Sequence, residues 1–437
     1  MGRSDNDYSL PLCLPFNDGV IVAANAIPDS ALVLDSPDCA LQKIENLFGN
    51  HDWLSDLCRI SKERFFTPAL QLPEIAMGDT GGLMESIRQA TARTDISLLL
   101  LAAASVVSIT DRNYSQIISR LELDKRLPVC DLTSGDLHRD WLDGYAETLI
   151  KLAENLPLPD QNAEKDENSV ALVGYFMDRN EGDHTGNLDE IRRLLEALGL
   201  KTVSIWLSGK PLADLKQIRR AGSIISLPYG RRAAEILAAR CGVRLIRAPL
   251  PLGIDGTASF LRIIAAATGR SDRAEMLIRS EESRTLPQLR MVLPRWFMDK
   301  NFVLVTDPYL AAALTDTLEF FGCNAQGIFI NAKSGHLERD LAAEYGVEVF
   351  EEPTPRQAKD KIAQLMSESL IDFVIGNTMR VASRTGGMAI IEFGFPSHFT
   401  HYLTPAPYMG YNGVLGLVER IANRMAHDEQ HGKISSE

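Results

Sequence analysis

The chain has 437 residues, 45% hydrophobic and 24% charged, with a formal net charge of −13; at roughly 100–200 residues per domain, that length predicts about two to four globular domains. The acidic balance argues against nucleic acid as a main partner, because phosphate binding needs concentrated Lys and Arg, and it suits docking a basic protein patch. No apolar run reaches the ~18–20 residues that cross a bilayer, and the opening MGRSDNDYSLPLCLPF lacks the basic-then-apolar plan of a secretion signal, so no membrane contact and a cytoplasmic chain are expected.

Three stretches repeat a βα pattern. The first, 1–165, holds predicted strands Ala31–Ser36, Ser97–Ala103 and Leu127–Leu132, with helices at Ala40–Phe48, Tyr114–Leu123 and Trp141–Leu156. The polar, Pro-bearing segment Pro157–Ser169 marks a boundary. The second stretch, 166–292, opens on the apolar strand Val170–Phe176. A helix Asn187–Leu198 follows, with Leu188, Ile191, Leu194, Leu195 and Leu198 on one stripe and Gly199 as its C-cap, and then the strand Lys201–Leu207. It continues through the strand SIISLP, the helix Arg231–Arg240, the strand VRLIRAP and a helix from Gly256 to Gly269. The third, 293–437, alternates the strand Asn301–Asp307, the helix Pro308–Phe321, the strand AQGIFI and the helix Leu337–Tyr345. After these come the strand VEVFEE, the helix Pro355–Ser369 and the strand Asp372–Asn377. Alternating strands and helices imply parallel sheets with right-handed crossovers. The expected fold class is α/β, with three Rossmann-like domains around central, mostly parallel sheets. No Walker A sequence is present, and no G-x-G-x-x-G follows a predicted strand, so the fold by itself assigns no nucleotide chemistry.

The six cysteines are Cys13, Cys39, Cys58, Cys130, Cys241 and Cys323. Disulfides are not expected in the cytoplasm, so each is packing filler, a metal ligand or a reactive thiol. Cys39, in Ser36-Pro37-Asp38-Cys39, falls where a buried strand opens into a helix, the usual ligand position of α/β sheets. A helix N-terminus also favours a thiolate, the form that binds iron. Cys130, Cys241 and Cys323 lie in a strand or beside helix-ending glycines and are expected to pack.

Several motifs together resemble the component-1 family of nitrogenase and nitrogenase-like reductases, over nearly the whole chain. They are Cys13-Leu14-Pro15; Cys39 in its Ser-Pro-Asp-Cys turn; Phe66-Thr67; Met77-Gly78-Asp79 with a helix from Gly82 to Ala92; and Val173-Gly174. Further along come the helix Asn187–Gly199, Pro251-Leu252-Gly253-Ile254-Asp255-Gly256-Thr257 with Phe260-Leu261, and the strand Asp372–Asn377. Phe393-Gly394-Phe395-Pro396, then Gly410-Tyr411-Asn412-Gly413 with a helix Val414–Met425, look like the β-type rather than the α-type subunit.

The resemblance implies that Cys13 and Cys39 are two cluster ligands. A third family cysteine would fall at Ala104, which cannot ligate iron. The resemblance then implies a [4Fe-4S] cluster shared with a partner, rather than an eight-iron one, with Cys58 or Asp38 as substitute ligands. It also implies an α-type partner in an α2β2 heterotetramer and an ATP-dependent iron–sulfur reductase protein that feeds electrons to the interface cluster. The substrate site would lie mainly in the partner. A scaffold subunit for assembling a nitrogenase-type metal cofactor is the alternative, and a cluster-free α/β binding protein a third. His398 and His401, flanked by Pro396 and Pro405, are expected in a loop that hydrogen-bonds or faces the partner; Arg384-Thr385-Gly386-Gly387 reads as a turn.

Overall fold

The computed structural model describes residues 13–57, 63–110, 112–134, 138–158, 165–368, 371–377 and 388–434. Among them the strands form three separate sheets, and every strand pairing within a sheet is parallel. The first contains β1 (Ser30–Asp35), β2 (Phe65–Phe66), β3 (Leu98–Ala103) and β4 (Val129–Leu132), in the order β2-β1-β3-β4. The second contains β5 (Asp166–Val173), β6 (Lys201–Ile205), β7 (Ala221–Ser226) and β8 (Arg244–Arg247), in the order β6-β5-β7-β8. The third contains β9 (Asn301–Thr306), β10 (Asn324–Ile330), β11 (Val349–Glu351), β12 (Phe373–Gly376) and β13 (Ala389–Glu392), in the order β11-β10-β9-β12-β13. Each sheet starts on an inner strand, builds to one side, then crosses to the other. That reversal leaves a crevice at the carboxyl ends between β1 and β3, between β5 and β7, and between β9 and β12. β1 and β3 are buried at every position, as helix-covered parallel strands must be.

Several elements differ from the sequence expectation for identifiable reasons. β5 begins at Asp166, inside the predicted linker: its first three residues are exposed, yet Asp166 already pairs with Ala221. The helix expected at Asn187–Leu198 is Gly182–Ala197; its first turn carries buried Asp183 and His184, which hide its start from an apolar-stripe reading. The helix expected at Leu337–Tyr345 shrinks to Leu341–Tyr345, because Asp340 caps it by accepting from the Ala343 amide. Helices Phe16–Asn25 and Ser271–Leu289, and strand β13, were not expected at all. The terminal helix spans Gly410–Ile434 and packs on β13 and on the helices Gly182–Ala197, Gly253–Thr268 and Ser271–Leu289, tying the second and third sheets together. Trp53–Leu57 is turn and irregular backbone, and Cys58 lies outside the described residues.

The helix Phe16–Asn25 lies against Trp141–Asn155 at backbone contact. A Cβ on Gly19 would stand 1.8 Å from the Trp141 carbonyl oxygen, and one on Gly144 would stand 1.9 Å from that of Phe16. Only glycine permits this approach, which fixes the N-terminal segment beside the start of the Trp141 helix. Among the described residues no helix is long and apolar enough to cross a membrane.

Candidate functional site

Cys13 sits where three chain segments meet. Pro15 bridges to Asp140, and the Trp141 amide donates to the Leu14 carbonyl at 3.1 Å. Asp140 is the N-cap of the Trp141 helix: its Oδ1 accepts from the Asp143 amide, and Asp143 Oδ2 accepts from the Asp140 amide, both at 3.0 Å. The other oxygen of Asp140 faces inward. It accepts from the Lys333 amide at 2.7 Å and lies 3.7 Å from Cys13 Sγ and 3.3 Å from His336 Nε2. Burial and then the Asp140 carboxylate push the Cys13 thiol up, so without a metal ion it keeps its proton at neutral pH. Burial opposes ionisation of Asp140 most, but the hydrogen bond and charge of His336, together with the Lys333 and Asp143 amides, outweigh it and hold the carboxyl below its usual range.

Cys39 lies at the crevice between β1 and β3. It is exposed and opens the helix Cys39–His51, just after β1 ends at Asp35. Ala104 follows the end of β3, and its amide donates to the Asp35 carbonyl at 2.9 Å, so the position facing Cys39 across the crevice carries only a methyl group. Asn17 Nδ2 donates to the Ala103 carbonyl at 2.9 Å, which brings the segment after Cys13 to the same carboxyl edge. The segment after Cys13 thus reaches the edge where Cys39 lies, while the Cys13 thiol itself contacts Asp140. Asp35 anchors the Cys39 turn from below. Its carboxylate is fully buried and accepts from Arg112 Nη1 at 2.9 and 3.1 Å and from the Tyr114 hydroxyl at 2.8 Å. Burial pushes that carboxyl up, against the pull of Tyr114 and Arg112.

Around this edge stand exposed apolar side chains: Leu41, Leu72, Met77, Val106 and Ile109. They flank a small cluster of Leu70, Ile75 and Val107 packed with Ala104, and Leu70 is tied to Pro37 beside Cys39. Clustered apolar exposure of this kind marks an interaction surface.

A second polar centre lies where the second and third sheets meet, and sequence reasoning missed it. Asp178 is buried 3.0 Å from His51 Nε2 and in contact with His184 Nε2. His184 Nδ1 meets the Tyr175 hydroxyl at 2.8 Å, and Arg179 pairs with Asp183. The adjoining cavity, about 20 Å³, has room for a water molecule and no metabolite. Burial opposes both charges of the central pair. Even so, Asp178 and Asp183 raise His184, while His184 and His51 hold Asp178 well below the carboxylate range.

A raised histidine stabilises the fold fully below its unfolded value of about 6.5 and loses that contribution as pH climbs through its folded value. A depressed carboxylate contributes above about 3.9 and loses it as pH falls. The pair therefore stabilises most between about pH 4 and 6.5. Thermal melts should show Tm declining as pH rises above that window, and His184→Gln should flatten the decline. A variant that declines as steeply as the wild type would assign the effect elsewhere.

Other candidates resolve simply. Cys130, Cys241 and Cys323 are buried, and Cys323 Sγ lies 3.2 Å from the Phe297 carbonyl, so all three pack as expected. His398 and His401 lie in a loop; His401 stacks on Trp53 at 3.5 Å and pairs with Glu181 at 2.7 Å, an attachment within this chain. Asp38 sits one residue before the Cys39 helix, with no side-chain capping bond. Arg384–Gly387 lie outside the described residues. The capping pair Asp140 and Asp143 was readable as a helix start, whereas nothing in the sequence joins His336 to it.

A model of the nitrogenase component 1 type oxidoreductase family matches residues 17–426. The chain belongs to this family. Relatives include the nitrogenase molybdenum-iron protein beta chain of Clostridium pasteurianum, 23% identical over 59% of this chain and 63% of that one. The corresponding beta chain of Methanococcus maripaludis is 25% identical over 69% and 68%. The nitrogenase iron-iron protein beta chain of Rhodobacter capsulatus is 23% identical over 67% and 66%. This component-1 chain is thus of the beta type, although its match spans less than two thirds of the clostridial chain. A chain of the solved structure "Nitrogenase Cp1 at pH 6.5" superposes with a TM-score of 0.78 over 98% of this chain and 95% of that one, at 16% identity, which establishes the shared fold.

Proposed function

We propose that this chain is the beta-type subunit of a reductase complex in which Cys13 and Cys39 lend thiolates to a [4Fe-4S] cluster shared with an alpha-type partner. The three sheets correspond to domains 1–165, 166–292 and 293–437. An ATP-dependent iron–sulfur reductase protein supplies the electrons, and the substrate site lies mainly in the partner of an α2β2 assembly. The observation that carries this reading is the exposed Cys39 at the β1/β3 crevice, ringed by exposed Leu41, Leu72, Met77, Val106 and Ile109. A thiol presented inside an apolar docking surface is half of a site, and the other half must come from whatever covers that surface.

The donor chemistry fits: thiolates are the ligands iron–sulfur clusters require, and Ala104 supplies none, which leaves the remaining ligands to the partner. When bound, the cluster supplies one-electron acceptance and transfer. The chain's own residues hold it in place: the Pro15–Asp140 bridge fixes Cys13, and Asp35 with Arg112 fixes the turn carrying Cys39.

The test is anaerobic co-purification with the alpha-type subunit, followed by iron and sulfide analysis. The complex should contain well over about one iron per chain, and Cys13→Ala and Cys39→Ala should each lose the visible absorbance of the cluster. Less iron than that, or absorbance kept in both variants, refutes the assignment. The missing donor at Ala104 also favours a second reading, a scaffold that holds a cofactor precursor; ATP-dependent substrate turnover by the purified complex would rule it out.

A further inference from the structure

We infer that a cavity between the second and third sheets binds a small organic carboxylate with an apolar body, held by the guanidinium of Arg231. The cavity measures about 210 Å³. Of its lining residues, Pro228 follows the end of β7, Ala248 that of β8 and Pro308 that of β9. It therefore lies at the carboxyl ends of both sheets, the side on which α/β folds usually bind ligands. A dry apolar cavity of about 150 Å³ already takes a benzene ring, so this one accommodates a single ring or a short alkyl chain. Leu250, Leu252, Ala312 and Ala313 make much of the wall apolar.

Arg231 is fixed from behind. Its Nη1 donates to the Ser226 carbonyl and, at 2.9 Å, to the Ala248 carbonyl. Its other edge is a fork: Nε and Nη2 donate to the two oxygens of Glu338 at 3.1 and 3.3 Å. A carboxylate thus already sits where a ligand carboxylate would, in the paired geometry that guanidinium groups favour. Glu338 lies in the loop after β10 and is 48% exposed at its side chain, against 22% for Arg231. It can swing into solvent while the guanidinium stays in place. The other two arginines of the wall are engaged, Arg247 with Glu235 and Arg339 with Asp316 and Glu344. Tyr309 completes the polar end, its ring edge-on to Tyr229 at 4.8 Å. Burial, then the Glu338 and Asp307 carboxylates, keep its hydroxyl protonated, so it can donate to an anion.

The inference is independent of the cluster ligands, and calorimetric titration of the full-length chain tests it with phenylacetate and its uncharged amide as probes. Phenylacetate should bind one per chain, and phenylacetamide at least about tenfold more weakly, because it lacks the charge that the fork selects. Tyr309→Phe should weaken phenylacetate by about threefold to tenfold, the worth of one hydrogen bond. Glu338→Ala should tighten it by about twofold to fivefold, since the competing half-exposed ion pair is gone. A purely structural Arg231–Glu338 pair would not give that gain. Ala313→Phe fills the cavity from a partly exposed helix position and should abolish binding.

Each variant is checked for native circular dichroism. The inference falls if phenylacetate does not bind the wild type at millimolar concentration, or if acid and amide bind alike. It also falls if Glu338→Ala leaves the affinity unchanged or lower, or if Ala313→Phe, natively folded, still binds. The shared-cluster reading is judged separately, by the iron content of the co-purified complex.

Discussion

Replacing Arg112 by alanine is expected to destabilise the protein by about 3–5 kcal/mol, the usual cost of stranding one member of a buried ion pair. Arg112 and Asp35 are 2% and 0% exposed at their side chains, so solvent cannot take over the lost interaction. Tyr114 would still donate one hydrogen bond to Asp35, but burial would push the carboxyl further up without the guanidinium. The deficit should therefore grow as pH rises through the folded wild-type value of Asp35, itself raised by burial, towards the still higher value of the variant. A urea titration at pH 5 and at pH 8 measures both effects. The double variant Arg112→Met with Asp35→Leu should lose less than Arg112→Met alone, because it removes the stranded charge. Equal losses would mean that the pair contributes packing and not charge compensation. The effect extends to the proposed site, since Asp35 supports the turn that presents Cys39.

Gly144→Ala should be among the most damaging of the glycine changes. Its new methyl would stand 1.9 Å from the Phe16 carbonyl oxygen, and no rotamer can relieve a backbone clash. The helices Phe16–Asn25 and Trp141–Asn155 must separate, at a cost of about 1–3 kcal/mol or more. That separation carries the Cys13 segment away from Asp140, so metal bound at Cys13 should fall together with the urea midpoint. Gly49→Ala is the control: it lies inside the helix Cys39–His51, with nothing within 4 Å of the new methyl, and should be neutral or stabilise by up to about 1 kcal/mol. Comparable losses in the two variants would show that the helix contact is not the cause.

Much of the fold was legible because parallel strands buried on both faces appear as unbroken apolar runs. SLLLLAA and NFVLVTD mark β3 and β9 within a residue. The helix Phe16–Asn25 was not legible, for the opposite reason. It is covered nearly all round, so FNDGVIVAAN shows no polar face to set a period. Ser271–Leu289 fails the other way: only Ala274, Ile278, Glu281, Thr285 and Leu289 are buried, and two of these are polar while Pro287 sits inside the helix.

The site divides similarly. Cys39 was readable from its strand-to-helix position. The partners of Cys13 were not, because Asp140 looks like a simple helix cap and His336 reaches it through a loop of the third sheet. Asp178 and His184 were missed because one lies in the turn after β5 and the other in the first turn of the helix Gly182–Ala197, where a polar helix start resembles a solvated loop.

The most direct test is anomalous diffraction at the iron absorption edge from crystals of the anaerobic complex with its alpha-type partner. Iron within bonding distance of the sulfurs of both Cys13 and Cys39, at the contact between the two subunits, is the predicted result. Iron found elsewhere, or bonded to neither thiol, would contradict it.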